Sequence, residues 1–210
     1  MTDNLTQPNN IAALVLSGGL SSRMGGADKA LIKFAGKPMI DYVLESLNQH
    51  IASISISTNS SDLAYNKFNL PKVPDLLTGN LGPLAGIHAG LHNTNASYLL
   101  ITPCDCPFLE TRLSDRLALA MATHKTPIAV AHDGHRSQNT FALIDTTLRD
   151  SLSRYLNRGG RRLITWLKEE NAVEVDCSDS KNSFININSI ADLHKAERLF
   201  AEMGLNKDGH

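Results

Sequence analysis

Short apolar runs bounded by turn formers alternate along this chain with longer stretches whose apolar residues recur every three or four positions. The first kind reads as buried strands and the second as one-sided helices. Residues 11–16 (IAALVL) form the first such run, and a glycine- and serine-rich stretch follows it. Gly36-Lys37-Pro38 makes a turn and puts Pro38 beside a helix start, after which residues 39–48 carry a stripe of Met39, Ile40, Val43, Leu44 and Leu47. Residues 51–58 alternate apolar with small polar side chains and predict a second strand; residues 72–74 predict a short third one that ends at Asp75. The glycine-rich stretch 79–90 continues as a helix to His92 with Pro83 in its first turn, and residues 98–102 (YLLIT) predict a strongly buried strand.

The second half changes character. Leu109, Leu113, Leu117, Ala120 and Met121 share a helical face, and residues 127–131 read as a strand. Asp133-Gly134 is a strong hairpin signal, with 140–144 as the return strand. Leu148, Leu152, Tyr155 and Leu156 mark a helix, the basic turn 158–162 follows, and Leu163, Ile164 and Leu167 mark another. Residues 173–175 and 184–187 read as short strands, and Ser189-x-x-Asp192 opens a last helix to Met203 as a capping box. Alternating strands and helices predict the α/β class, a Rossmann-like three-layer α/β/α arrangement around a mostly parallel sheet. The expected organisation is a disordered lead-in over 1–10, one domain over 11–203 and a polar tail over 204–210.

Composition narrows the function classes. A net charge of −1 over 210 residues gives no polyanion-binding surface, so no nucleic-acid partner is expected. No run reaches the length of a membrane span, and the opening MTDNLTQPNN lacks a basic start and an apolar core, so a cytoplasmic location is expected. Three cysteines, Cys104, Cys106 and Cys177, do not make a disulfide framework, and Cys104-x-Cys106 has no second pair to complete a zinc site.

Candidate chemistry begins at residues 16–29, LSGGLSSRMGGADK. A strand feeding a glycine-rich loop lets backbone N–H groups turn toward an anion, and Arg23 and Lys29 add cations that reach phosphates. The spacing is neither that of a P-loop nor that of a dinucleotide-binding fingerprint. In an open α/β sheet ligands sit beyond the carboxyl ends of the strands. Leu16, Ser17, Gly18, Gly19 and Lys29 follow the first strand, Ser57 and Asn59 the second, Asp75 the third and Asp105 the leucine-rich one. Asp105, between Pro103 and Pro107, suits Mg²⁺, a hard cation that often takes one carboxylate plus phosphates and water. Asn186 and Asn188 alternate with Ile185 and Ile187 on one face, as pocket lining or as a further metal ligand. Arg161 and Arg162 are candidates for a second phosphate. His88 and His92 stand four apart without an H-E-x-x-H pattern, and no G-x-S-x-G elbow supports acyl transfer.

The stretch LSGGLSSRMGGADKALIKFAGKPM resembles the N-terminal motif of the nucleotidyltransferases, L-x-G-G-x-x-x-R-M-G-x-D-K followed by G-K-P. GPLAG, PCDCPF, HDGHRSQNTFALI, GGRR and FININS follow in the order found in the MobA-type molybdenum cofactor guanylyltransferases, so the resemblance spans roughly 11–200. It implies a nucleotide-diphospho-sugar transferase-like fold and an enzyme that moves GMP from Mg-GTP to the terminal phosphate of molybdenum-molybdopterin. By that resemblance Leu16, Ser17 and Gly18 contact GTP, Lys29 serves the phosphates, Asp75 holds the nucleoside and Asp105 binds Mg²⁺; Arg23, as the loop's other cation, is expected to join Lys29 in steadying the leaving pyrophosphate. Ser17 stands where the family often has alanine. The family's asparagine after the second strand aligns with Ser57 while Asn59 lies two residues on, so either meets GTP. Gly18 and GPLAG favour guanine over cytosine. The hairpin with Arg136, Gln138 and Asn139 and the Arg161-Arg162 turn are the candidates for the pterin. The resemblance further implies a monomer with transient contacts to other cofactor-biosynthesis proteins or apo-molybdoenzymes. The alternatives are a cytidylyl or sugar-phosphate nucleotidyltransferase and a non-catalytic nucleotide-binding module.

Overall fold

A computed structural model describes residues 10–18, 28–61, 63–79 and 81–204. The chain runs through β1 (Ile11–Leu16), the small hairpin β2 (Lys33–Phe34) and β3 (Lys37–Pro38), α1 (Met39–Asn48), β4 (Ser53–Ser57), β5 (Lys72–Val73), α2 (Pro83–Asn93) and β6 (Tyr98–Pro103). It continues through α3 (Leu113–His124), β7 (Ile128–His132), β8 (Ser137–Asp145), α4 (Arg149–Asn157), α5 (Leu163–Glu169), β9 (Val173–Asp176) and α6 (Ile190–Glu202). Seven of these strands form one sheet in the order β5-β4-β1-β6-β8-β7-β9. β1 pairs in parallel with β4 and β6, β4 with β5 and β7 with β9, whereas β8 runs antiparallel to both its neighbours. The mostly parallel sheet and its α/β class agree with the alternation in the sequence.

Strand periodicity sorts the core into two layers. Ile11, Ala13 and Val15 of β1 join Leu100, Leu143 and the apolar faces of α1 and α3 on one side of the sheet. Ala12 and Leu14 join Leu99, Ile101, Ile144 and the buried faces of α2, α4 and α5 on the other. Because side chains alternate along a strand, a sheet clad by helices on both faces needs apolar residues in unbroken runs, which is why β1 and β6 show no polar alternation. A third cluster seats α6 against the β2–β3 hairpin: Phe34, fully buried, meets Tyr42, Phe108 and Phe200 edge-on with centroids 5.1, 5.6 and 5.2 Å away. Ser189 caps α6 by accepting from the Asp192 N–H, as the capping box predicts.

Three local expectations change. Residues 184–187 are not a strand: Ser178–Phe184 is 3-10 helix kinked at Ser180, and the backbone of the extended residues after it is tied to the sheet region by a bond from Ile187 N to the Asp105 carbonyl at 3.0 Å. The alternation there comes from burying Ile187 in the third cluster while the asparagines stay outside. Leu109 is buried but precedes α3, which starts at Leu113. The hairpin expected at Asp133-Gly134 is present, with His132 paired to Ser137, but its return strand runs over Ser137–Asp145 and so starts before residue 140. The Asp133 carboxylate accepts from His135 N at 2.7 Å and Arg136 N at 2.8 Å, an Asx turn.

Candidate active site

Parallel pairing brings the carboxyl ends of β5, β4, β1 and β6 side by side, and the chain leaves each strand into the same crevice. Ser17 N bonds the Ser57 carbonyl at 2.9 Å, and Cys104 N bonds the Leu16 carbonyl at 3.1 Å, so the exits stay in register beyond the strands. The crevice is a cavity of about 750 Å³. It is lined by Leu16, Ser17 and Gly18 at the end of β1, by Lys29 before β2, by Ser57 and Asn59 at the end of β4, by Asp75 after β5 and by Asp105 after β6. Every candidate nucleotide residue within the described part of the chain therefore faces one space. Gly19 and Arg23 lie outside the described residues.

The far wall is the start of α2, where Gly82, Pro83, Ala85 and Gly86 line the cavity. Gly82 has φ +54° and starts the helix, with Pro83 in its first turn. A side chain at Gly86 would force its neighbours to shift: a Cβ there would lie 2.3 Å from Ser57 Oγ, 3.2 Å from Ser57 Cβ and 3.3 Å from Leu16 Cδ2. The glycine thus lets the helix pack closely on the Ser57 and Leu16 side chains at the ends of β4 and β1.

Charge concentrates at the β6 end. Asp105 is 6% exposed and its carboxylate forms an ion pair with Lys29 Nζ. Asn186 Nδ2 donates to Asp105 Oδ1 at 2.8 Å, and Lys29 Nζ donates in turn to Asn186 Oδ1 at 3.2 Å and to Asn188 Oδ1. One ammonium is thus held by a carboxylate and two amide oxygens, all hard donors. Two buried thiols flank Asp105; burial above all, together with its negative charge, pushes Cys104 up to about 12 and Cys106 well above the ordinary thiol range. A buried thiol held that high is a poor nucleophile. Across the cavity Asn59 and Asp75 form a reciprocal pair: Asn59 Nδ2 donates to Asp75 Oδ2 at 2.7 Å and Asp75 N donates to Asn59 Oδ1 at 2.9 Å. Ser57 and Asn59 both line the cavity, but Asn59 is the one that orients the Asp75 carboxylate.

The sequence profile of the MobA-like NTP transferase domain matches residues 13–172. The chain belongs to the MobA-like NTP transferase family. It is 42% identical to the molybdenum cofactor guanylyltransferase of Mannheimia succiniciproducens, over 88% of this chain and 97% of that one. It is 37% identical to the protein of the same name from Pasteurella multocida, over 87% and 96%. Among solved structures, the molybdopterin-guanine dinucleotide biosynthesis protein A from Archaeoglobus fulgidus superposes with a TM-score of 0.77 at 23% identity, over 91% of this chain and all of that one. A CMP:2-keto-3-deoxy-manno-octonic acid synthetase solved with CTP superposes at 0.68 and 16% identity, over 92% and 98%. The two superpositions establish a shared fold.

As a MobA-like NTP transferase the chain is a nucleotidyltransferase, and its remaining candidates fall away from the cavity. Gln138 Nε2 donates to Asp133 Oδ2 at 2.6 Å within the hairpin, and Arg136 is exposed at the turn. Asn139 adjoins Thr140, the one residue of β8 that lines the cavity. Arg161 donates to the Leu156 carbonyl at 3.1 Å, closing the end of α4, and Arg162 leads into α5. The His88 and His92 Nε2 atoms meet Ser153 Oγ at 2.9 and 3.2 Å, so their spacing serves an α2–α4 contact. Sequence reasoning missed Asp28, Leu81 and Thr140, which line the cavity, and Tyr65, which bonds two residues that do.

Proposed function

We propose that this enzyme transfers the GMP moiety of GTP to the terminal phosphate of molybdenum-molybdopterin and releases pyrophosphate. The observation that carries the reading is the meeting of Lys29, Asp105, Asp75 and the Ser17-Gly18 turn in one cavity, in a chain 42% identical to a relative named molybdenum cofactor guanylyltransferase. An acceptor phosphate is already largely dianionic at neutral pH, because its second pKa is about 6. Its oxygen attacks the α-phosphorus of GTP; the new P–O bond forms as the bond to the β-phosphate oxygen breaks, and that oxygen leaves with the electron pair. No general base is required, so the protein's part is positioning and charge neutralisation.

In this reading Lys29 steadies the phosphates, the backbone at Ser17 and Gly18 receives them, and Asp75, held by Asn59, takes the nucleoside. The oxygens of Asp105, Asn186 and Asn188 already converge on a cation, the Lys29 ammonium. That hard-donor set fits Mg²⁺, with Asp105 as the principal ligand. When bound, the ion would supply charge neutralisation at the phosphates. The pterin end of the acceptor is assigned to the side of the cavity that Thr140 lines.

The test is pyrophosphate release with molybdenum-molybdopterin as acceptor and GTP or CTP as donor. Turnover with GTP at least tenfold faster than with CTP is expected; equal or faster turnover with CTP refutes the guanylyl reading, and no acceptor-dependent release with either refutes the transfer.

A further inference from the structure

The phenol of Tyr65 joins two residues that are far apart in sequence from it and lie on either side of the glycine-rich stretch. Tyr65 sits in a 3-10 helix, Leu63–Phe68, between β4 and β5, and is 1% exposed. Its hydroxyl lies 2.9 Å from both carboxylate oxygens of Asp28 and is bonded to Ser17 Oγ. A carboxylate only accepts, so Tyr65 donates to Asp28 and Ser17 donates to the phenol oxygen. The proton order is therefore Ser17 to Tyr65 to Asp28. Burial, and after it the contact with Asp28, hold the phenol above its ordinary range, so it stays a neutral donor at working pH.

Tyr65 does not itself line the cavity, but Ser17, Asp28 and Lys29 all do. Asp28 also accepts from Ala30 N at 3.2 Å and so caps the turn Lys29–Leu31 that carries the lysine. A carboxylate on the wall of a triphosphate site repels the ligand unless its charge is tied down. Here the phenol reaches both oxygens and a backbone N–H engages one of them.

We propose that Tyr65 is a positioning residue for the nucleotide triphosphate: one buried hydroxyl fixes the exit of β1 at Ser17 and the Asp28 cap of the Lys29 turn relative to each other. The inference rests on the GTP reading above. The phenol sets the geometry of the phosphate-facing groups and leaves the acceptor side untouched.

Titration calorimetry with GTP, initial rates with both substrates varied, and thermal melts of the full chain test this in the wild type, Tyr65→Phe and Ser17→Ala. Tyr65→Phe keeps the ring and deletes only the oxygen. Losing a hydrogen bond to a charged group is expected to raise the Kd and KM for GTP about tenfold in Tyr65→Phe, and losing a neutral one about threefold in Ser17→Ala. The KM for the acceptor should stay within twofold, kcat within threefold, and the melting temperature within a few degrees. A GTP KM within twofold of wild type in Tyr65→Phe overturns the proposal. So does an equal rise in both KM values, which means general loosening, or a lowered melting temperature with GTP affinity unchanged. Should Tyr65→Phe not fold, Ser17→Ala decides alone, and an unchanged GTP affinity there overturns it. Wild-type protein that binds no GTP sinks the functional reading instead, and the two failures are thereby separate.

Discussion

Beyond the carboxyl ends of β1, β4, β5 and β6, polar side chains bond one another across an open cavity, as Lys29 does with Asp105 and Asn59 with Asp75. Around the β7–β8 turn they bond backbone and side chains a few residues away, as Asp133 does with His135, Arg136 and Gln138. Both regions are polar, glycine-bearing and sited at strand ends. They differ in what a ligand finds on arrival. In the first region most partners are side chains from other strand exits, which the proposed nucleotide would replace. In the second, two of the donors are backbone N–H groups fixed by the turn itself and the third is the nearby Gln138 amide. Parallel strands produce the first situation, because their exits all open to one edge of the sheet; the reversal at β8 produces the second, because a hairpin consumes its own polar groups.

That contrast breaks most sharply at Asp105. Asp105→Ala should lower the rate of GMP transfer by about 10³-fold with the melting temperature nearly unchanged, read as pyrophosphate release; near-normal turnover would remove Asp105 from the chemistry. Lys29→Ala should weaken GTP binding by roughly 10- to 100-fold, and calorimetry giving an unchanged affinity would show that the ammonium only balances Asp105. Gly86→Ala adds a methyl group against Ser57 and Leu16. Crowding and gained helix propensity oppose each other, for a net loss of about 1 kcal/mol, a melting point lower by about 2–4 °C and a raised GTP KM. A melting point and KM both at the wild-type values would show that the helix can retreat.

The smallest effect is expected in the turn. Hydrogen bonds from the Arg136 and His135 N–H groups hold the Asp133 carboxyl down to about 2, against an ordinary 3.8. A depressed carboxylate pKa stabilises the folded form above the unfolded value, and that stabilisation is lost as pH falls through the folded one. Hydrogen exchange at His135 and Arg136 should therefore quicken, relative to neighbouring strand amides, between pH 3.8 and about 2, while Asp133→Ala leaves GMP transfer at pH 7 within twofold. A large loss of transfer would place the turn in the working site and dissolve the comparison.

Much of the first region was legible from sequence because local rules and the sheet's geometry agree there. The run Ile11–Leu16 is uniformly apolar because both its faces are clad, and polar residues at the ends of four parallel strands must meet. Tyr65 escaped notice because it is an aromatic in a short polar stretch with no strand or long helix to give it a period; Phe68, three residues on and in edge contact with it at 6.1 Å, was the available hint of burial. Asp28 was visible in its motif, but its partner lies 37 residues away and no local pattern names it. The alternation at 184–187 misled because period two records which side is buried, and a loop pressed against one aromatic cluster has that period as readily as a strand does.

The lysine that rests among Asp105, Asn186 and Asn188 has a thermodynamic consequence for turnover. An enzyme without nucleotide would otherwise hold a desolvated anion with nothing opposite it; here an internal counter-ion fills that role. On the proposed role of Lys29, arrival of substrate exchanges its partners in place of a fresh neutralisation, and net affinity is weaker than the number of contacts suggests. On that same proposal the exchange would run backward when pyrophosphate departs, returning the amine to Asp105.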